Sequence, residues 1–183
     1  MTAKVLTILD ELEQVFRETD VGQERLFIQA IVSSNKIVCV GAGRVGLALA
    51  GFAKRLRHLD KDAFWIEDAT LPRMGAGDLM VIGSGSGETE TIVTLANLGK
   101  REGLDIALVT ATTQSRLVAL ADVSVVLQCP SKTASENVLS SVQPMTTLFE
   151  QATQLYLDAI VLELMEELNL SDSDMRGRHN GIE

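Results

Sequence analysis

Aromatic side chains are scarce in this chain, with one Trp, one Tyr and five Phe among 183 residues. So few rings offer no platform on which nucleobases would stack. Positive charge is also in deficit: 16 Lys and Arg face 25 Asp and Glu, a formal charge of −9. Such a surface repels a polyphosphate backbone. The two shortages argue against nucleic acid as a partner. They do not argue against a small phosphate ester, because a pocket is set by local dipoles and a few cations. There are only two cysteines, Cys39 and Cys129, far apart in sequence. They make neither a disulfide framework nor a zinc pattern, and they suit a reducing cytoplasm. No apolar run approaches the roughly 18 residues of a membrane span, and the N-terminus lacks a signal-peptide pattern. Neither a membrane nor a secretory route is expected.

What the chain does have is alternation. Its length and its 46% hydrophobic content predict one domain over residues 1–183, with a core of useful size. A helical lead-in occupies about 1–34 and a tail about 170–183. Apolar runs of strand length at Lys36–Val40, Ala63–Glu67, Leu79–Ile82, Ile106–Thr110 and Val123–Leu127 are separated by helical periodicity. Strands alternating with helices predict a parallel sheet covered on both faces: a three-layer α/β sandwich with five strands. Crossovers are right-handed in such folds, and loops at the strand C-termini build one site. The segment from about Pro144 to Leu168 is a helix apolar nearly all round, which predicts self-association.

Two loops follow strands. The second carries the stronger signal. Asp78 to Thr91 reads DLMVIGSGSGETET: a buried strand, a Gly/Ser loop, then a helix start. Glycines let backbone approach a ligand, the first helical N–H groups point at it, and the hydroxyls of Ser84, Ser86 and Thr89 add donors. This is an anion site built for phosphate. The first loop, GAGRVG at 41–46, has dinucleotide spacing, and Glu67 or Asp68 stands where a ribose-binding acid belongs. Arg44 within it and the second hydroxyl-rich loop favour a compact phosphorylated ligand instead.

With these residues in place, the chain resembles sugar isomerase (SIS) domains and, among them, the 6-phospho-3-hexuloisomerases. The resemblance covers nearly the whole length. It is carried by GAGRVG at 41–46, FAKRLRHL at 52–59, GDLMVIGSGSGET at 77–89, PMTTLFE at 144–150 and MRGRHNGIE at 175–183. It implies a flavodoxin-like sheet order and interconversion of D-arabino-hex-3-ulose 6-phosphate with fructose 6-phosphate. It further implies no metal and no cofactor, and a homotetramer with sites near subunit boundaries. Matched to the family's phosphate loop, Ser84, Ser86 and Thr89 hold the phosphate, with Gly85, Gly87 and Glu88 in the same loop and Gly43 and Arg44 in the first. The chain departs from the family pattern at Val45, where Ser is usual, at Leu71–Met74, and in the tail after His179.

Moving a carbonyl along a sugar needs a base that shuttles a proton between adjacent carbons, and a donor for the enediolate oxygens. Glu150 is the first choice as base: on the Pro144–Leu168 helix it falls near the line of Leu157, Val161 and Leu164, where a carboxylate must be paired or its pKa rises. Glu136, in the long polar connection 128–143, is the rival, by alignment with the arabinose 5-phosphate isomerases. His179 is assigned to ring opening or proton transfer, in its own or a neighbouring subunit, from a tail that orders only by folding over a site. His58 either complements its helix dipole or contacts substrate. Glu88 would repel a dianion, so it is expected to turn to sugar hydroxyls or to Arg44. The same fold acting on another phosphosugar, or binding one as a sensor without turnover, are the alternatives the residues leave open.

Overall fold

The computed structural model describes residues 2–130 and 140–181. Helices α1 (Thr2–Arg17) and α2 (Val21–Ser33) precede the sheet. Strands β1 (Lys36–Gly41), β2 (Asp62–Trp65), β3 (Leu79–Gly83), β4 (Asp105–Thr110) and β5 (Val123–Val126) follow, with α3 (Gly43–His58), α4 (Glu90–Glu102) and α5 (Arg116–Leu120) between them. Helices α6 (Thr147–Glu167) and α7 (Asp172–Gly177) come last. The strand order is β2-β1-β3-β4-β5, every pair parallel. The order reverses between β1 and β3, so their C-terminal ends part and leave a crevice there.

Every residue of β3 is buried, as a central parallel strand requires. The pleat sends alternate side chains to opposite faces. Ile37, Cys39, Leu79, Val81, Ala107 and Val109 enter the core shared with α1, α2, α3 and α6. Val38, Val40, Met80, Ile82, Ile106 and Leu108 enter the core under α4 and α5. The expected three-layer sandwich is therefore the observed fold. Among the described residues no helix is long and apolar enough to cross a membrane.

Three boundaries differ from expectation, each for a local reason. Strand β2 stops at Trp65 rather than Glu67, because the Asp68 carboxylate accepts the Trp65 N–H at 2.9 Å and turns the chain. Helix α6 starts at Thr147 rather than Pro144, because Met145 adopts φ +58°. The tail is not irregular: Ser171 and Asp174 form a reciprocal capping box that opens α7, satisfying donors a short helix would otherwise leave bare.

Candidate active site

A cleft of about 250 Å³ opens at the topological switch point. Its walls are the β1–α3 turn at Gly43–Val45, the β3–α4 loop at Gly83–Ser86 with Thr89, and the first turn of α6 at Thr146, Phe149 and Glu150. Both α3 and α4 aim their N-termini toward it. Neither Ala42 nor Thr89, the residues that open these helices, makes a side-chain capping bond. Unpaired N–H groups and two converging dipoles thus face the space where an anion would sit.

The β3–α4 loop is held from within and from behind. The Gly87 N–H donates to Ser84 Oγ at 3.2 Å, and the Glu88 N–H to Ser86 Oγ at 3.3 Å. The Ala111 N–H and the Thr110 hydroxyl both donate to the Gly85 carbonyl. Gly87 has φ +64°, and a Cβ there would lie 2.0 Å from Ser115 Oγ, so only glycine serves at this turn. The Ser115 hydroxyl caps α5 by accepting the Val118 N–H.

Glu88 is a correction. It faces neither Arg44 nor the cleft. Its carboxylate accepts the Arg116 N–H at 2.8 Å and Arg116 Nε at 2.6 Å. These hydrogen bonds, with the guanidinium charge, hold the carboxyl below the usual range. The repulsion of a dianion is thereby moved to the outside of the loop.

Across the cleft, Glu150 Oε2 pairs with Arg44 Nη1 at 2.8 Å, and Glu150 Oε1 accepts the Thr146 hydroxyl at 3.2 Å. The Glu150 side chain is 17% exposed and that of Arg44 59%, so the carboxylate is sheltered while the cation reaches solvent. Glu150 is not isolated on its helix: rotation about α6 carries it toward α3. Thr146, which sequence reasoning passed over, stands one turn before Glu150, the spacing at which helical side chains meet. Phe149 was missed as well. It closes the floor under Gly85, where a Cβ would meet its ring at 3.0 Å. Val45 packs beside Gly83 in the same floor, in apolar contact where the family's Ser would present a hydroxyl.

The histidines are elsewhere. His58 ends α3, whose length puts it about 21 Å from Arg44, at the opposite end of that helix from the cleft. It is buried, its ring 5.2 Å from that of His179, and Arg55 Nη1 lies 3.5 Å from its Nδ1. Both line a separate cleft of about 360 Å³ with Lys54, Gln154 and Asp158. Within one chain, then, Gly43, Arg44, Ser84, Gly85, Ser86, Thr89 and Glu150 come together, and His58 and His179 do not join them. Glu136 lies outside the described residues.

The SIS domain family matches residues 30–155. The chain is 34% identical to the 3-hexulose-6-phosphate isomerase of Bacillus subtilis over 182 residues, covering 100% of this chain and 98% of that one. It is 35% identical to an uncharacterized protein of Archaeoglobus fulgidus over 156 residues, 85% of each. A solved structure from Methanococcus jannaschii, inferred to have the molecular function of 3-hexulose-6-phosphate isomerase, superposes with a TM-score of 0.85 at 27% identity over 99% of both chains. Sheet order, the glycine–serine loop between two helix N-termini, and these similarities agree: the chain belongs to the SIS domain family.

Proposed function

We propose that this protein is a 3-hexulose-6-phosphate isomerase, interconverting D-arabino-hex-3-ulose 6-phosphate and fructose 6-phosphate. The observation that carries the reading is the sheltered Glu150 carboxylate, 2.8 Å from Arg44, facing a hydroxyl loop at a helix N-terminus across one cleft. The phosphate sits on Ser84, Ser86, Thr89 and the first N–H groups of α4, with Gly85 and Gly87 allowing close approach. The sugar then lies toward α6. Glu150 takes the proton from C3 of fructose 6-phosphate. The electron pair forms a C2–C3 enediolate, whose oxygens Arg44 steadies. The charge forms on O2, and the O3 hydroxyl proton passes to O2. Return of the Glu150 proton to C2 and collapse of the O3 oxyanion to a carbonyl then give the 3-ulose, with no net gain or loss of atoms. Glu136 is the second candidate for the base.

His58 and His179 enter this scheme only from a neighbouring copy, because one chain holds them at the far end of α3. Exposed apolar side chains support such an assembly: Val5, Leu6 and Leu9 on α1, Leu47 on α3, and Leu155 and Leu162 on α6. A groove of about 440 Å³ between α1, α3 and α6 shares Arg44 and Glu150 with the cleft, so a copy seated there would border the site. We take the assembly to be a tetramer acting in the cytoplasm, without a metal or cofactor.

The deciding experiment incubates the protein with fructose 6-phosphate in deuterated water and follows it by NMR. Formation of the 3-ketose with deuterium at its C2, and of deuterium at C3 in the fructose 6-phosphate that remains, supports the proposal. Exchange at C1 would mean a 2-ketose/aldose isomerase, and saturable binding without exchange a sensor. Glu150→Gln should lower kcat by about 10²-fold or more while phosphate-ester affinity stays near wild type. Full turnover in that variant would transfer the base assignment to Glu136.

A further inference from the structure

Helix α1 precedes the residues that match the SIS family, yet one of its side chains reaches the entrance of α6. Glu11 is buried, 9% exposed. Its carboxylate accepts the Ser141 hydroxyl at 2.7 Å, the Val142 N–H at 2.8 Å and the Gln143 side-chain amide at 2.9 Å. The Gln143 N–H in turn donates to Ser141 Oγ at 3.0 Å. A buried carboxylate is costly unless its lone pairs are filled, and bonds to a charged acceptor are about twice as strong as neutral ones. Three donors from three successive residues meet that condition.

The clamp ends where the site begins. Immediately after Gln143 come Pro144, Met145 at φ +58° and Thr146. The Thr147 N–H and hydroxyl both donate to the Pro144 carbonyl, at 3.3 and 2.7 Å. Thr146 then bonds Glu150, and Glu150 pairs with Arg44. A short, bonded run of chain thus links Glu11 to the cleft, although Glu11 does not line it. Apolar packing of Leu12 and Val15 in the core would by itself hold α1 to the body of the protein. It would not set the position of residues 141–143.

We propose that Glu11 is a positioning residue: by gripping residues 141–143 it sets the first turn of α6, and with it the placement of Glu150 against Arg44 and substrate. The consequence for turnover rests on the isomerase reading; the positioning itself does not. Displacement of a catalytic group by about 1 Å costs up to about 10²-fold in rate, so loss of the grip should be visible in kcat.

The test compares Glu11→Gln, Ser141→Ala, their double variant and the control Glu13→Gln, whose parent side chain is exposed on the same helix and pairs with Arg17. Each full-length protein is read by steady-state kinetics and by amide hydrogen exchange across 141–150. Glu11→Gln keeps the shape but turns an amide NH2 toward donors. It should speed exchange in that stretch and lower kcat by about tenfold with KM within about twofold. Ser141→Ala should do the same to a smaller degree, which keeps the test alive if Glu11→Gln folds poorly. The double variant should be no worse than Glu11→Gln, since both act on one grip. A lower melting temperature with unchanged kcat, or unchanged exchange at 141–150, would overturn the proposal. If the wild-type protein does not isomerise the sugar phosphate at all, the isomerase reading falls on that result. The exchange data then decide the positioning alone.

Discussion

In the proposed reading, the Ser84 hydroxyl serves both structure and ligand. It is buried at 5% exposure, and its oxygen already accepts the Gly87 N–H. Its proton remains available as a donor to a phosphate oxygen. Ser86 repeats the arrangement with the Glu88 N–H. Replacing both by Ala removes two donors to the anion and two acceptors for the loop. The expected outcome is a KM for the phosphosugar raised by at least about tenfold, with a smaller change in kcat and about 1–2 kcal/mol less stability. Steady-state kinetics beside a thermal melt would separate the two. The opposite pattern, lower kcat at constant KM, would place these hydroxyls at the reacting carbons rather than at the phosphate. Most of the residues that line the candidate cleft were legible in the sequence. Hydroxyls spaced between glycines after a buried strand have few uses, and a lone Arg in the first loop has few partners. Glu88 was misread because its partner, Arg116, belongs to a different helix. No local pattern announces that the β4–α5 connection folds back beneath the β3–α4 loop.

At the scale of elements, the β3–α4 loop and the start of α5 are one unit. Gly87 is the contact between them: its φ of +64° and the 2.0 Å approach of a would-be Cβ to Ser115 Oγ leave no room for a side chain. Gly87→Ala must therefore adopt a left-handed conformation and push Ser115 off its capping bond. The expected destabilisation is about 2–4 kcal/mol, measurable as a shift in the denaturant midpoint at constant slope. A loss below about 1 kcal/mol would mean that the loop relaxes freely and that its shape is not fixed by α5. The element boundaries were readable wherever period and breaker coincide, as at Gly103, which ends α4 in the left-handed conformation. They were not readable where a side chain bonded at a distance. Asp68 shortened β2 through a turn, and Met145 delayed α6 through a backbone angle that a methionine rarely adopts.

The whole molecule poses the question that a single chain leaves open. Its β3–α4 loop and its Arg44–Glu150 pair stand at one end of α3, and its two histidines at the other. Packing of α3 and α6 about a two-fold axis would bring the end of one copy to the beginning of the next, and the exposed leucines along α1, α3 and α6 are the surface for it. The prediction is complementation. Glu150→Gln and His58→Ala proteins, each of low activity, should regain part of the wild-type rate when unfolded together and refolded as mixed oligomers. Such mixing creates some sites with both native groups. No recovery, in material that light scattering proves to be mixed, would confine His58 to its own chain.

The order of strands and helices, the two-faced core and the position of the anion loop follow from local properties of the sequence. Short continuous apolar runs mark strands buried on both faces, and right-handed crossovers then leave one arrangement of their C-terminal ends. Glycine and hydroxyl spacing could be read because backbone conformation and donor placement are short-range. Long-range pairings were decided only when the chain closed. The turning of Glu150 onto Arg44, the anchoring of Glu88 by Arg116, the grip of Glu11 on residues 141–143 and the meeting of His58 with His179 each join residues from different elements. Charged side chains are selected for these partnerships by burial and geometry, which exist only in the folded molecule; the composition that supplies the charges leaves the pairing undetermined.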